Sequence, residues 1–151
     1  EGLLIGYSFY VKAGIAPLFP FGHGLSYTIF AWSNLRLQSD GENVVVSLYI
    51  TNTGSRTGQE VVQIYVEDAS PILPRPRRQL KAFDKLTLSP GDTQTAHFLL
   101  KPRDFACYDT KFAGWVARGG EFTIHAAASA ADIRLSGKVT RPAEWREKAR
   151  R

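Results

Sequence analysis

Five segments of the chain alternate apolar and polar residues with a period of two, the mark of a strand with one buried face. In NVVVSLYITN the apolar set is Val44, Val46, Leu48 and Ile50, while Val45, Ser47, Tyr49 and Thr51 point the other way. EVVQIYVED sets Val62, Ile64 and Val66 against Gln63 and Tyr65. Ala96, Phe98 and Leu100 in TAHFLLK, Phe122, Ile124 and Ala126 in GEFTIHA, and Ile133, Leu135 and Val139 in DIRLSGKV continue the series. Two further strands are expected in YTIFAWSNLRLQ and from Gln79 to Leu88. TNTGSRTG, SPGD and RGGE separate several of these runs and carry the residues that tight turns need. About seven short strands joined in this way predict an all-β antiparallel sandwich from Thr28 to Val139.

The flanks have a different texture. EGLLIGYSFY is an apolar piece that reads as the end of something larger, and the prolines and glycines of GIAPLFPFGHG predict an ordered lead-in loop. AEWREKARR has the composition for two helical turns, frayed at so short a length. The chain contains no methionine, so the expectation is a fragment or a processed product rather than a complete translation product. No run approaches the ~18 apolar residues that span a bilayer, and no membrane partner is expected.

A net charge of +5 raises the question of a polyanion. The cations gather in PRPRRQLKAFDK, with Arg75, Arg77 and Arg78, and in RPAEWREKARR at residues 141–151. Both read as a solvated loop and tail, and no nucleic-acid partner is expected. A polyanion-binding module is the rival.

The lone Cys107 excludes an internal disulfide and a thiolate set for zinc. His23, His97 and His125 lie on separate elements without metal-ligand spacing, so no metal is assigned; His23 is expected to be a hydrogen-bonded structural residue, and the other two to face outward. FGHGLSY lacks the third glycine of a dinucleotide loop, and GLSYT has Thr28 where a nucleophile elbow needs glycine. Asp68, Asp84, Asp92, Asp104, Asp109 and Glu121 fall at strand ends and turns, where caps and arginine partners account for them. No catalytic residue and no cofactor is nominated. Outward Tyr49 and Tyr65, with Trp32 or Trp115, leave a carbohydrate-stacking platform open, and a free-standing carbohydrate-binding sandwich is the alternative function.

EGLLIGYSFY with GIAPLFPFGHGLSYTIF, then VSLYITNTGSRTGQEVVQIYVED, PRPRRQLKAFDKLTLSPGDTQTAHFLL, RDFACYD and GEFTIHAAASAADIRL, closely resembles the C-terminal region of glycoside hydrolase family 3. The likeness runs from about Glu1 to Leu135, with Ser8 and Val11 standing where an arginine and an aspartate are common. It implies an immunoglobulin/fibronectin type III-like sandwich over residues 28–140. It further implies a remnant of a preceding α/β sandwich domain at 1–12, its last strand and exit, and an interdomain linker at 13–27 ahead of the basic tail. The family's nucleophile and acid/base lie upstream of such a region and match no position here.

The implied role is a non-catalytic accessory domain of a retaining β-glucosidase or β-xylosidase. Its partners would be the upstream catalytic domains and, through them, a β-glucoside or oligosaccharide. The compartment stays open, with the periplasm or the cell exterior favoured over the cytoplasm. Within PLFPFGHGLSYT, prolines stiffen the chain and Gly22 and Gly24 allow sharp turning. Phe19, Phe21, Leu25 and Tyr27 offer apolar area worth about 25 cal/mol per Å² on burial. These six residues and His23 form the expected docking set. Residues 1 to about 20 are expected to pack poorly in the chain alone.

Overall fold

The computed structural model describes residues 3–149. A short helix, α1 (Tyr7–Ala13), and an irregular linker lead into β1 (Phe30–Asp40), β2 (Asn43–Asn52), β3 (Gly58–Asp68), β4 (Arg78–Leu88) and β5 (Thr93–Leu100). A 3₁₀ turn at Pro102–Phe105 precedes β6 (Cys107–Asp109), β7 (Gly114–Ala117), β8 (Gly120–Ala127), β9 (Ile133–Arg141) and β10 (Trp145–Lys148). One sheet has the order β1-β2-β5 and the other β4-β3-β8-β9, with every pairing antiparallel. These seven strands are the five read from periodicity and the two further ones expected in YTIFAWSNLRLQ and from Gln79 to Leu88. The two sheets face each other across the alternating apolar sets. Val46, Leu48 and Ile50 of β2, Val62 and Ile64 of β3, and Phe122 and Ile124 of β8 are wholly buried. The fold is thus the expected sandwich, in the three-plus-four division of strands.

A small third sheet, β10-β7-β6, brings Trp115 and Trp145 against the same core. The tail is therefore not helical where it is described: Trp145–Lys148 pairs with Gly114–Ala117, because the indole of Trp145 gains more from the core than two charged helical turns could. At the other end α1 stands where a last strand was expected, and it ends at Gly14, whose N–H donates to the Tyr10 carbonyl. Nor is the segment loosely packed throughout. Ser8 is buried, and Tyr7 packs against the smaller core cluster formed around Tyr65. The first two residues of the expected remnant and the last two of the expected tail lie outside the described residues.

The inward residues of β2, β3, β5 and the first part of β8 are buried as predicted, but on β9 Leu135 is only half-buried, and Ile133, expected to face inward, packs instead with Ala127 against the outer cluster around Tyr65, because the register shifts between Ala126 and Ala127. Other residues that point off the core are buried too. Gln63, Tyr65 and His125 are each covered on their outer side. Tyr7 covers Tyr65, the linker lies on Gln63, and Glu67 and Ser136 hold His125.

Asn52, at the end of β2, is a fully buried polar residue whose carboxamide is saturated. Its Nδ2 donates to the carbonyls of Arg56 (2.8 Å) and Leu88 (3.0 Å). Its Oδ1 accepts from Thr28 Oγ1 (2.7 Å) and from the Gly54 N–H (3.0 Å). One side chain thereby joins the β2–β3 turn, the end of β4 and the last residues of the linker. Gly54 completes the joint, since a Cβ there would collide with Thr28 Oγ1 and stand 3.0 Å from the Ile29 nitrogen. Asn52→Ala should lower the urea midpoint of unfolding with the slope unchanged, the unfolding free energy falling by about 1–3 kcal/mol for each buried group left without a partner. A midpoint equal to that of the unsubstituted chain would remove Asn52 from this role.

Candidate docking interface

Helix α1 and the linker that follows it are fastened to the sandwich at three places. At the first, the Leu80 N–H of β4 donates to Tyr7 Oη (2.8 Å). The Tyr7 ring stacks on Phe21 (5.2 Å between centroids) and meets Tyr65 edge-on (5.9 Å). Tyr65 Oη donates to Gln63 Oε1 (2.7 Å), whose Nε2 donates to the Ala128 carbonyl (2.9 Å). Burial pushes the Tyr65 phenol well up, so it serves here as a neutral donor. At the second place the Ala130 N–H donates to the Phe21 carbonyl (2.8 Å). Gly22 follows with φ 79°, pressed so closely on the Gln63 amide that no Cβ fits. At the third, Thr28 reaches Asn52, and the Thr53 N–H donates to the Ile29 carbonyl (2.9 Å).

Between these fastenings the apolar side chains face solvent. Leu18 is 88% exposed, Leu25 94% and Tyr27 93%, with Phe19 and Ile29 also largely bare. Leu3, Ile5, Phe9, Tyr10 and Ile15 extend the apolar surface onto and around α1. An apolar recess of about 530 Å³ lies between helix and linker, bordered by Tyr10, Val11, Ile15, Phe19 and Phe21. Single exposed apolar residues are ordinary on a protein surface, whereas large apolar patches are a common signature of interaction sites.

Among the seven residues expected to dock, Phe19, Leu25 and Tyr27 point outward, whereas Phe21 is half turned onto Tyr7. Gly22 has the unusual backbone expected of it. Gly24 does not: its φ is not positive and a side chain there would meet open space. The hydrogen bond at His23 comes from its backbone N–H to the Pro20 carbonyl (2.9 Å), and its ring lies against Phe19 (5.8 Å).

The other candidate chemistry resolves into structural pairs. Asp92, Asp104 and Asp109 accept from nearby backbone N–H groups of Ser89, Lys101 and Lys111. Asp68 lies between Arg118 and Arg75. The basic cluster is taken apart in the same way, for Arg75 is buried and donates to the Phe105 carbonyl (2.9 Å), while Arg77 pairs with Glu67 (2.9 Å). Cys107 is half-buried, with Sγ 3.7 Å from the Val116 carbonyl. The stacking platform left open by the sequence, two adjacent tyrosines, does not form. Tyr65 is buried, Tyr49 lies on the other sheet, and Trp115 is covered by the Arg103 guanidinium at 3.6 Å.

His125 and Glu67 form a coupled pair beside Tyr65. His125 Nε2 lies 2.9 Å from Glu67 Oε2, and Nδ1 lies 2.8 Å from Ser136 Oγ. Burial pushes the imidazole down, outweighing the carboxylate that would raise it. Burial also works to raise Glu67, but hydrogen bonds from Arg77 and His125 prevail and hold it below its ordinary value. The imidazole is then neutral, donating from Nε2 to Glu67 and accepting from Ser136.

Residues 60–130 match the fibronectin type III-like domain family. Over 143 residues the chain is 43% identical to thermostable β-glucosidase B of Acetivibrio thermocellus, covering 92% of this chain and 19% of that protein. It is 39% identical over 145 residues to β-glucosidase BoGH3A of Bacteroides ovatus, covering 93% and 19%. Among solved structures, β-glucosidase 3B of Thermotoga neapolitana in complex with glucose superposes with a TM-score of 0.91 at 36% identity, covering 96% of this chain and 20% of that one. Sheet order and family match together define a fibronectin type III-like β-sandwich. The chain belongs to the fibronectin type III-like region that glycoside hydrolases of family 3 carry in their C-terminal part. It spans about a fifth of the length of the curated relatives it matches.

The depressed imidazole predicts a pH dependence of stability. Because His125 binds its proton more weakly when folded, its contribution is present in full above the unfolded value of about 6.5 and is lost as the pH falls below it. The thermal midpoint of the chain should decline on acidification from neutrality, and His125→Gln should flatten that decline. Identical pH profiles for the two proteins would contradict the assignment.

Proposed function

We propose that this chain is the non-catalytic accessory portion of a longer retaining β-glucosidase, and that its linker surface docks the sandwich onto the upstream domains. Residues 1–12 are then the exit from a preceding domain, 13–27 the bridge, 28–140 the sandwich and 141–151 a tail whose Trp145–Lys148 lies on the small sheet. The observation that carries the reading is the contrast within one segment: Tyr7, Phe21 and Thr28 are tied to the sandwich, yet Leu18, Phe19, Leu25 and Tyr27 beside them are bare. A linker ordered in this way loses little further entropy on docking, so its apolar area is available as net stabilisation. The relatives' greater length supplies a partner surface on the same polypeptide. Retaining hydrolysis would use two upstream carboxyl groups about 5 Å apart, and the β-glucoside would bind there.

Two measurements test this. Leu25→Ser with Tyr27→Ser should leave the unfolding free energy of the isolated chain within about 0.5 kcal/mol of the original and its thermal midpoint nearly unmoved, because both side chains are exposed in it. In the longer protein the same pair should lower the midpoint clearly. Equal effects in the two proteins would remove the docking role. The isolated chain should also fail to hydrolyse an aryl β-glucoside, and turnover near that of a longer relative would overturn the division of labour.

A further inference from the structure

The two faces of the sandwich are unlike. The linker and α1 cover part of the outward face of β4-β3-β8-β9, through Tyr7 on Tyr65 and Gly22 on Gln63. The outward face of β1-β2-β5 belongs to the other sheet of the sandwich, away from Tyr65 and Gln63. Its centre is Tyr49, 39% exposed, registered with Ser33 on one side and Thr95 on the other. Ser47 occupies the next outward position along β2, and Thr51 faces Thr93, with their hydroxyls 2.8 Å apart.

Side chains repeat about every 6.8 Å along each strand and about every 4.8 Å across strands, so hydroxyls flank the Tyr49 ring on both neighbouring strands, with His97 beside Ser47 and the apolar pair Val45 and Leu99 one step further along the face. The charge on this face is as telling as its shape. Although the chain carries +5, the outward positions of the three strands hold two formal charges, Arg36 and Asp40, of opposite sign and both on edge strand β1.

We propose that this face binds an uncharged polysaccharide, with Tyr49 stacking on the apolar side of a sugar ring and the surrounding hydroxyls bonding to the sugar's own. A neutral polyhydroxylated ligand suits a charge-balanced face: it brings no charge to desolvate, and each hydroxyl can both donate and accept. An anionic polymer would find one cation here, too few for electrostatic binding. The tyrosine offers a large contact area with few torsions to freeze. The face stands on its own geometry, whereas the choice of a β-linked glucan as first probe rests on the function proposed above.

The test is sedimentation of the 151-residue chain with insoluble β-1,4-glucan and, separately, with starch granules, at low and high salt. The chain should be depleted from solution by the β-glucan equally at both salt levels. Tyr49→Ala should weaken retention by about tenfold and Tyr49→Phe should preserve it, with both variants melting like the unsubstituted chain. Thr95→Glu, which sets a charge beside the ring, should also weaken retention. Depletion by starch and not by β-glucan would uphold the face while contradicting the β-glucoside reading of the longer protein. No depletion by either polymer, or retention indifferent to Tyr49, would overturn the proposal. So would self-association abolished by Tyr49→Ala, which would give the face to a second copy of the chain.

Discussion

The buried carboxamide of Asn52 is the joint on which the rest of the structure depends. A side-chain amide taken from water is costly unless each of its hydrogen-bonding groups finds a partner, and here four partners come from three separate segments. The joint satisfies Asn52 only if the β2–β3 turn, the end of β4 and the linker residue Thr28 are in place together. Satisfying it therefore fixes where the linker meets the sandwich. Tyr7 and Phe21 fix the other end against β4 and the loop after β8. The linker is consequently part of the domain, although it contributes no strand to either sheet.

From that constraint comes a division of the surface. Side chains that face the sandwich between the fastenings are used for attachment, and those that alternate with them have nothing to cover them within the chain. The exposed apolar surface is thus a consequence of ordering rather than of a loose terminus. The opposite sheet face carries no such covering and balances its charges, so the sandwich presents one greasy side and one hydroxylated side. Titratable groups follow the same division. Glu67, His125 and Arg77 pair with one another next to the covered face, where Tyr7 and Tyr65 exclude water from one flank.

Much of this was legible in the sequence, and the parts that were not share a cause. Period-two alternation located five of the seven sandwich strands, because inward residues such as Val46 and Phe122 are buried by the facing sheet, which the same alternation implies. The clustering of proline, glycine and aromatics in PLFPFGHGLSYT marked the linker for the reason it is ordered. Alternation also gave Tyr65 and His125 their correct direction. It could not show that they are covered, because the cover comes from Tyr7 and Glu67, far off in sequence. Trp145 likewise reads as part of a charged tail until the core offers its indole a place. Asn52 was hidden in plain sight: NTGS announces a turn, whereas its bond to Thr28 is visible only once both motifs occupy one site.

The central claim is that the linker is fastened to the sandwich before any partner arrives. Amide hydrogen exchange in the isolated chain tests it most directly, at the N–H groups of Leu80 and Ala130, whose acceptors are Tyr7 Oη and the Phe21 carbonyl. Both amides should exchange slowly, on the scale of the neighbouring strand amides, and Tyr7→Ala should release Leu80 while the sandwich core stays protected. Rapid exchange at both positions within a protected sandwich would show a linker that is free until it docks, and would contradict the account.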